Sequence, residues 1–267
     1  MKLIGHRGAR REAPENTLGG FRHIVDLGLK AVEFDVQLLT DGRLAVLHDA
    51  SLTRTAGVDV VVETLTSDQL VGFDNRQGWP TWPTPEPVPT LQQALALMTH
   101  FEHIEVEVKA VADQAAIEAI SDALVRELAE WANHDAVTVT SFDVRILAAM
   151  QARREQGLHQ IKTGLLIEPQ SQLDPDAPST TPLTADDLAQ PNAPALTRAL
   201  ALGCSRMGLF DQLTTLDAVR HIHAAGLDVS VWTVNDPDRA RALQDWGIEG
   251  LISDVPSLML QQMVGEI

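Results

Sequence analysis

Ala31-Val32-Glu33-Phe34-Asp35-Val36-Gln37 is the stretch on which the reading of this chain turns. Its β-branched and aromatic residues mark it as a strand. Successive side chains of a strand point to opposite faces, so Val32, Phe34 and Val36 share one face and Glu33 and Asp35 the other. The apolar face suits packing under helices, as in a parallel sheet covered by crossover helices. The paired carboxylates fit a solvent-exposed face equally well as an inward site whose charge is compensated.

Working outward, strand-like and helix-like segments alternate along the whole chain. Leu3–His6, Ile104–Val108, Ala136–Thr140, Ile161–Ile167, Ser205–Leu209, Asp228–Val231 and Ile248–Ile252 read as further strands. Helical spacing is expected over Leu18–Leu27, with Phe21, Ile24 and Val25 on the buried face and Gly28 as its stop. Another helix starts near Leu91, where Thr90 and Gln93 fit a capping box. Helices are also expected over Gln114–Trp131, Val144–Glu155, Leu196–Leu202, Leu216–Ala225 and Arg239–Trp246, and from Ser257 onward. Asp236-Pro237 and Asp254-Val255-Pro256 look like helix starts. Eight such units in 267 residues predict an α/β fold, a (β/α)8 TIM barrel. A doubly wound sheet is the rival, but no G-x-G-x-x-G turn follows the first strand.

Of the 14 prolines, those in Pro80–Pro89 and Pro169–Pro194 mark two interruptions of the rhythm. The first closes an excursion over residues 51–89, expected to form a small cap beside the site, with Trp79, Trp82 and a helical piece at Ser67–Val71. The second is an acidic loop, expected to be mobile and at the surface. The expectation is a single barrel domain over residues 1–267 carrying the small insertion at 51–89.

Composition limits the partners. A net charge of −17 argues against nucleic acid and against anionic membrane surfaces, although a metal and a few placed cations could still receive a phosphate. Cys204 is the only cysteine, which excludes an internal disulfide and a thiolate zinc cluster. No apolar run is long enough for a membrane span, and the first motif follows so closely on Met1 that a cytoplasmic protein is expected. Nothing in the pattern sets an oligomeric state.

The third strand decides between the two readings of Glu33 and Asp35. His103, Glu105, Glu107 and Lys109 share one parity, and Glu107 and Lys109 lie nearest the strand's C-terminal end, where barrel active sites sit. Glu107 can therefore complete a metal site with Glu33 and Asp35. Three carboxylates without thiols favour one divalent cation, Mg2+ or Ca2+. Lys109 suits a phosphate oxygen. His6 ends the first strand and His48 follows the extended run Leu44–Leu47, so both can reach the same mouth. Arg7 offers a fork of donors matched to a phosphate. His23, His100, His134, His159, His221 and His223 have no comparable company and read as surface or helix residues.

The ordered run His6-Arg7-Gly8, Pro14-Glu15-Asn16-Thr17, Glu33-Phe34-Asp35-Val36, Thr40-Asp41-Gly42, His48-Asp49 and Arg54-Thr55 resembles the glycerophosphodiester phosphodiesterase family. The likeness continues through Pro89-Thr90-Leu91, Glu107-Val108-Lys109, Ser141-Phe142, Trp232-Thr233-Val234-Asn235 and Ser253-Asp254-Val255-Pro256. The resemblance implies a (β/α)8 barrel with a small insertion after the second strand. It also implies hydrolysis of glycerophosphodiesters to glycerol 3-phosphate and an alcohol. It places metal ligands at Glu33, Asp35 and Glu107, acid and base at His6 and His48, phosphate contacts at Arg7 and Lys109, and a pocket wall at Trp232. Ala56, Ser253, Val255 and Glu105 depart from the usual pattern. Glu105 leaves open which acid of the third strand meets the metal, and the changes near Asp254 bear on the leaving group. Glu15 and Asn16 are expected to brace the first loop.

Two other readings compete. A phospholipase D-like barrel acting on lysophospholipid or sphingolipid needs an interface-binding surface, and the chain shows no basic amphipathic helix. A non-catalytic barrel that binds a phosphorylated ligand would be expected to lack a catalytic group, and none is missing.

Overall fold

The computed structural model describes residues 1–156 and 161–263; His159 lies outside the described residues. Among the described residues nine strands form one sheet: β1 (Lys2–His6), β2 (Ala31–Leu38), β3 (Leu44–Val46), β4 (His103–Val108), β5 (Val137–Ser141), β6 (Lys162–Ile167), β7 (Arg206–Phe210), β8 (Asp228–Trp232) and β9 (Gly250–Ser253). Eight of them run parallel, in the order β1-β2-β4-β5-β6-β7-β8-β9. β9 pairs back onto β1 from Lys2↔Gly250 to Gly5↔Ser253, which closes the barrel and leaves its parallel strands no open edge. β3 is an extra antiparallel strand on β2, with Val36 opposite Val46. The TIM barrel expected from the sequence is the observed fold, and all eight anticipated strands are present.

The parity read from β2 holds. Val32, Phe34 and Val36 are fully buried under helices, and Phe34 packs on Phe21 of helix Leu18–Asp26 with ring centroids 5.4 Å apart. Phe21 and Ile24 are buried as expected, but Val25 is 44% exposed. Ile24 is central to the buried stripe, and Val25, about 100° further round the helix, turns to solvent. The loop from β1 to this helix folds back so tightly that a Cβ on Gly5 would lie 2.1 Å from the Gly8 carbonyl oxygen and 2.5 Å from Ile24 Cδ1. Only glycine fits there.

The segment between β3 and helix Leu91–Leu97 builds a small core of Leu47, Leu52, Val62, Leu65, Leu70 and Val88 around Leu39 of the β2–β3 turn and Ala45 of β3. Glu86 fixes it to the barrel. Its carboxylate accepts from the Gly19 amide at 2.9 Å, at the start of helix Leu18–Asp26, and from Trp82 Nε1 at 3.0 Å. Residues 168–184 contain no regular element before the short helix Ala185–Leu188.

The two proline-marked helix starts differ in their caps. Asp236 caps Pro237–Asp245 by accepting from the Asp238 and Arg239 amides at 2.8 and 3.2 Å. Helix Pro256–Gln262 has no cap from its own flank. Glu12, from the β1 loop, accepts instead from the Ser257 amide at 3.0 Å and hydroxyl at 2.6 Å. Asp254, which the sequence placed at this helix start, turns away from it into the barrel mouth.

Candidate active site

Strand register brings the carboxylates together. His6 pairs laterally with Glu33, and Asp35 with Glu107, so adjacent strands carry their functional groups at the same height. Ligand oxygens of Glu33, Asp35 and Glu107 all lie within 4.8 Å of one another. Glu33 and Asp35 are buried and Glu107 is half-buried. Burial, then repulsion from Asp35 and Glu107, pushes the Glu33 carboxyl well above its ordinary value. Burial and Asp35 push Glu107 up to about 7. Burial also opposes ionisation of Asp35, but Lys109, Arg7 and His48 outweigh it and hold this carboxyl below the usual range. Three converging, mutually repelling carboxylates with oxygen donors only fit a hard divalent cation. Lys109 Nζ already lies 2.7 Å from Asp35 Oδ1 and contacts Glu107, and Arg7 Nε lies 3.3 Å from Asp35 Oδ2.

Glu105 is not part of this cluster. It sits one layer deeper in the barrel, bonded to His103 Nε2 at 3.0 Å and to Arg206 Nη1 at 3.2 Å. Of the acids on β4, it is Glu107 that meets Glu33 and Asp35.

The two histidines are built alike. His6 Nδ1 lies 2.6 Å from Asp254 Oδ1, while Nε2 faces the cluster, 3.8 Å from Glu33 Oε2. His48 Nδ1 lies 2.7 Å from Asp49 Oδ1. A carboxylate at Nδ1 keeps the proton on that nitrogen and leaves Nε2 of the neutral ring as an acceptor. Burial lowers the pKa of both rings, against the raising effect of Asp254 on His6 and of Asp35 and Asp49 on His48.

Each of these carboxylates is held in turn. Asn235 Nδ2 donates to Asp254 Oδ2 at 3.0 Å while its own Oδ1 accepts from the Asp254 amide at 2.9 Å, and Arg10 Nε lies 2.7 Å from Asp254 Oδ1. Asp49 accepts from Arg54 Nε at 2.7 Å. Arg54 then grips Glu15 through two nitrogens at 2.7 Å, and Glu15 accepts from Arg7 Nη1 at 3.0 Å. A chain of ion pairs therefore runs from His48 through the insertion to Arg7 and Asp35. Gln37, which shares the Glu33–Asp35 face of β2, donates to the carbonyls of Leu47, His48 and Asp49 at 3.1, 3.1 and 2.6 Å, fixing the His48 loop.

The first loop is strained around the same point. Arg7 and Asn16 have φ of 50° and 54°, a left-handed conformation that is costly for residues other than glycine. Their contacts account for it. The Arg7 amide donates to Glu33 Oε2 at 3.0 Å, and Asn16 Nδ2 donates to Asp35 Oδ2 at 2.9 Å. Asn16 thus touches a cluster carboxylate directly, beyond the bracing expected of it.

A cavity of about 820 Å³ opens at this C-terminal mouth. His6, Arg7, Glu33, His48, Glu107, Lys109 and Trp232 line it, and Asp35 lies buried directly beneath. All eight anticipated residues therefore meet at one place. Sequence reasoning missed Asp254, Asn235 and Arg54 as parts of the site. Each lay in a motif noticed for another reason, and only their distant partners reveal what they do.

The sequence model of the glycerophosphoryl diester phosphodiesterase family matches residues 6–258. The chain belongs to that family. As a member it is an enzyme, a phosphodiesterase on a TIM barrel. It is 25% identical to a Bacillus altitudinis glycerophosphodiester phosphodiesterase, over 96% of this chain and 95% of the relative. It is 26% identical to the human lysophospholipase D GDPD1, over 96% of this chain and 84% of the relative. The fold matches an Oleispira antarctica phosphodiesterase solved with the product sn-glycerol-3-phosphate, with a TM-score of 0.78, 24% identity, and coverage of 98% of this chain and 96% of that one.

Proposed function

We propose that this family member hydrolyses glycerophosphodiesters to glycerol 3-phosphate and an alcohol, using His6 and His48 as acid and base. One observation carries the reading: two imidazoles, each with a carboxylate on Nδ1, line one cavity with a three-carboxylate cluster. Glu33, Asp35 and Glu107 would hold one divalent cation, Mg2+ or Ca2+, which when bound would polarise the phosphate and acidify a coordinated hydroxyl. One histidine takes the proton of the glycerol 2-hydroxyl through Nε2, and that oxygen attacks phosphorus. The second histidine, entering the step as the imidazolium with a proton on Nε2, gives that proton to the departing alcohol oxygen, leaving a cyclic phosphate. Water opens the ring with the two roles exchanged, and the proton count closes. Arg7 and Lys109 offset the charge on the phosphoryl oxygens, and Trp232 walls the substrate pocket. The likeness to a lysophospholipase D makes lysophospholipids the substrates to run beside these. The proposed domain organisation is one barrel with residues 51–89 as its cap.

The test is incubation with glycerophosphocholine and Mg2+ or Ca2+, with and without chelator, followed by detection of glycerol 3-phosphate. Chelator-sensitive release of glycerol 3-phosphate is expected. A trapped 1,2-cyclic glycerophosphate would support the two-step route. No product from any glycerophosphodiester under either metal would sink the proposal.

A further inference from the structure

The two halves of the cavity wall differ in kind. The cations lining it, Arg7, Arg10, Arg11 and Lys109, all come from the loop after β1 or the end of β4. Across the mouth the wall is aromatic. Phe142 follows β5, while Phe210 and Trp232 end β7 and β8. Trp232 lies 5.5 Å from Phe142 with rings at 81°, and 5.3 Å from Phe210 with rings at 55°. Glu168 follows β6 and so lies between Phe142 and Phe210 in the order of strands around the barrel.

The carboxylate of Glu168 is half-buried, lines the cavity, and pairs with no cation among the described residues. Its acidic neighbour on the same wall, Asp211, is neutralised by Arg239 Nε at 2.7 Å. Thr140, 1% exposed, also lines the cavity, and its hydroxyl has no partner among the described residues. An acyl chain would leave Glu168 and Thr140 without polar partners, and an anionic group would be repelled by Glu168. Aromatic rings beside one uncompensated carboxylate are complementary to an organic ammonium.

We propose that the β5–β8 half of the mouth is the subsite for the alcohol of the diester, that this alcohol carries an ammonium or trimethylammonium group, and that Glu168 sets the preference. The proposal rests on the reading that the chain hydrolyses glycerophosphodiesters. With the phosphate held at Arg7 and Lys109, the cationic end reaches across the cavity to Glu168. Opposite charges at the two poles of the mouth then fix one orientation of a zwitterionic substrate.

The test compares kcat/KM for glycerophosphocholine and for its uncharged isostere, the 3,3-dimethylbutyl ester of glycerol 3-phosphate, in wild type and Glu168→Gln. Wild type should favour the cation by ~10-fold, expressed mainly in KM. Glu168→Gln should lower that ratio by roughly 5- to 10-fold, and Glu168→Lys should invert it. A wild-type ratio within about twofold of one, or a ratio unmoved by Glu168→Gln, overturns the subsite. Hydrolysis of both esters at equal rates removes this inference alone. Hydrolysis of neither, with glycerophosphoglycerol still hydrolysed, also removes this inference alone, whereas hydrolysis of no glycerophosphodiester removes the proposed function beneath it.

Discussion

Asp254→Asn is the most discriminating perturbation of this site. The side chain is nearly isosteric, so the mouth keeps its shape while the charge behind His6 is lost. Asp254 is 1% exposed and its Oδ1 lies 2.6 Å from His6 Nδ1, a short charge-assisted contact. Such a bond contributes roughly 1.5–3 kcal/mol when one partner is ionised. In one of the two steps His6 is the base, and Asp254 stabilises the imidazolium formed there, so the loss falls on that proton transfer. At 1.36 kcal/mol per tenfold, kcat should drop by ~10- to 150-fold. KM and metal affinity should hold, because Asp254 is not one of the three clustered carboxylates. Asp254 raises the His6 pKa against burial, so the limb of the pH–kcat profile due to His6 should move to lower pH in the variant. The assay is steady-state kinetics on glycerophosphocholine across pH, with calorimetric metal titration and a thermal melt as controls. Arg10 and Arg11 also lose a partner, worth only ~0–1 kcal/mol for such accessible side chains, and Asn235 Nδ2 loses its carboxylate acceptor, so stability in the melt should fall by about 1–3 kcal/mol while the variant stays folded. A folded variant with kcat within about twofold of wild type would refute the argument that Asp254 acts through His6.

Three further outcomes are expected. His6→Ala and His48→Ala should each lower turnover by ~10²-fold or more while calorimetry shows metal binding intact; near-normal turnover in either would remove that histidine from its role. Glu33→Gln should weaken metal binding, and activity should partly return as metal is raised; a variant that binds metal as wild type does would take Glu33 out of the ligand set. Glu127→Gln probes stability. Burial pushes the Glu127 carboxyl up to about 7, and its Oε2 has no partner among the described residues, while Oε1 accepts from the Leu44 amide at 3.3 Å. A raised carboxyl pKa favours the folded state below the unfolded value of 4.5, and that contribution is lost as pH rises through about 7. The variant should therefore gain on wild type by roughly 1–2 kcal/mol between pH 5 and pH 8 in urea melts, allowing for local relaxation of the buried charge. A difference that does not vary with pH would count against it.

Much of this molecule is legible from local pattern, because strand parity and helical periodicity are properties of short segments. The alternation in β2 was enough to separate Val32, Phe34 and Val36 from Glu33 and Asp35, and the parity of β4 aligned Glu107 with Lys109. Parity could not rank Glu105 against Glu107. Both face inward, and which one meets Glu33 and Asp35 depends on depth in the barrel and on Arg206 arriving from β7. Val25 went astray for a similar reason, since the width of a buried stripe is set by what packs against it.

What the sequence by itself determined is the barrel, its eight units and the residue types converging on its mouth. Each strand's C-terminal end points the same way once the sheet is parallel, so residues at those ends must meet. What only the tertiary structure decided is how those residues are held. His6 and Asp254 are 248 positions apart and meet because β9 closes onto β1. Glu12 caps the last helix across 245 positions, which leaves Asp254 to serve His6. Arg54 reaches Glu15 only because the insertion folds back beside the first loop. Contacts of this kind are made by loops whose path no periodicity encodes, and they exist only after the sheet has closed.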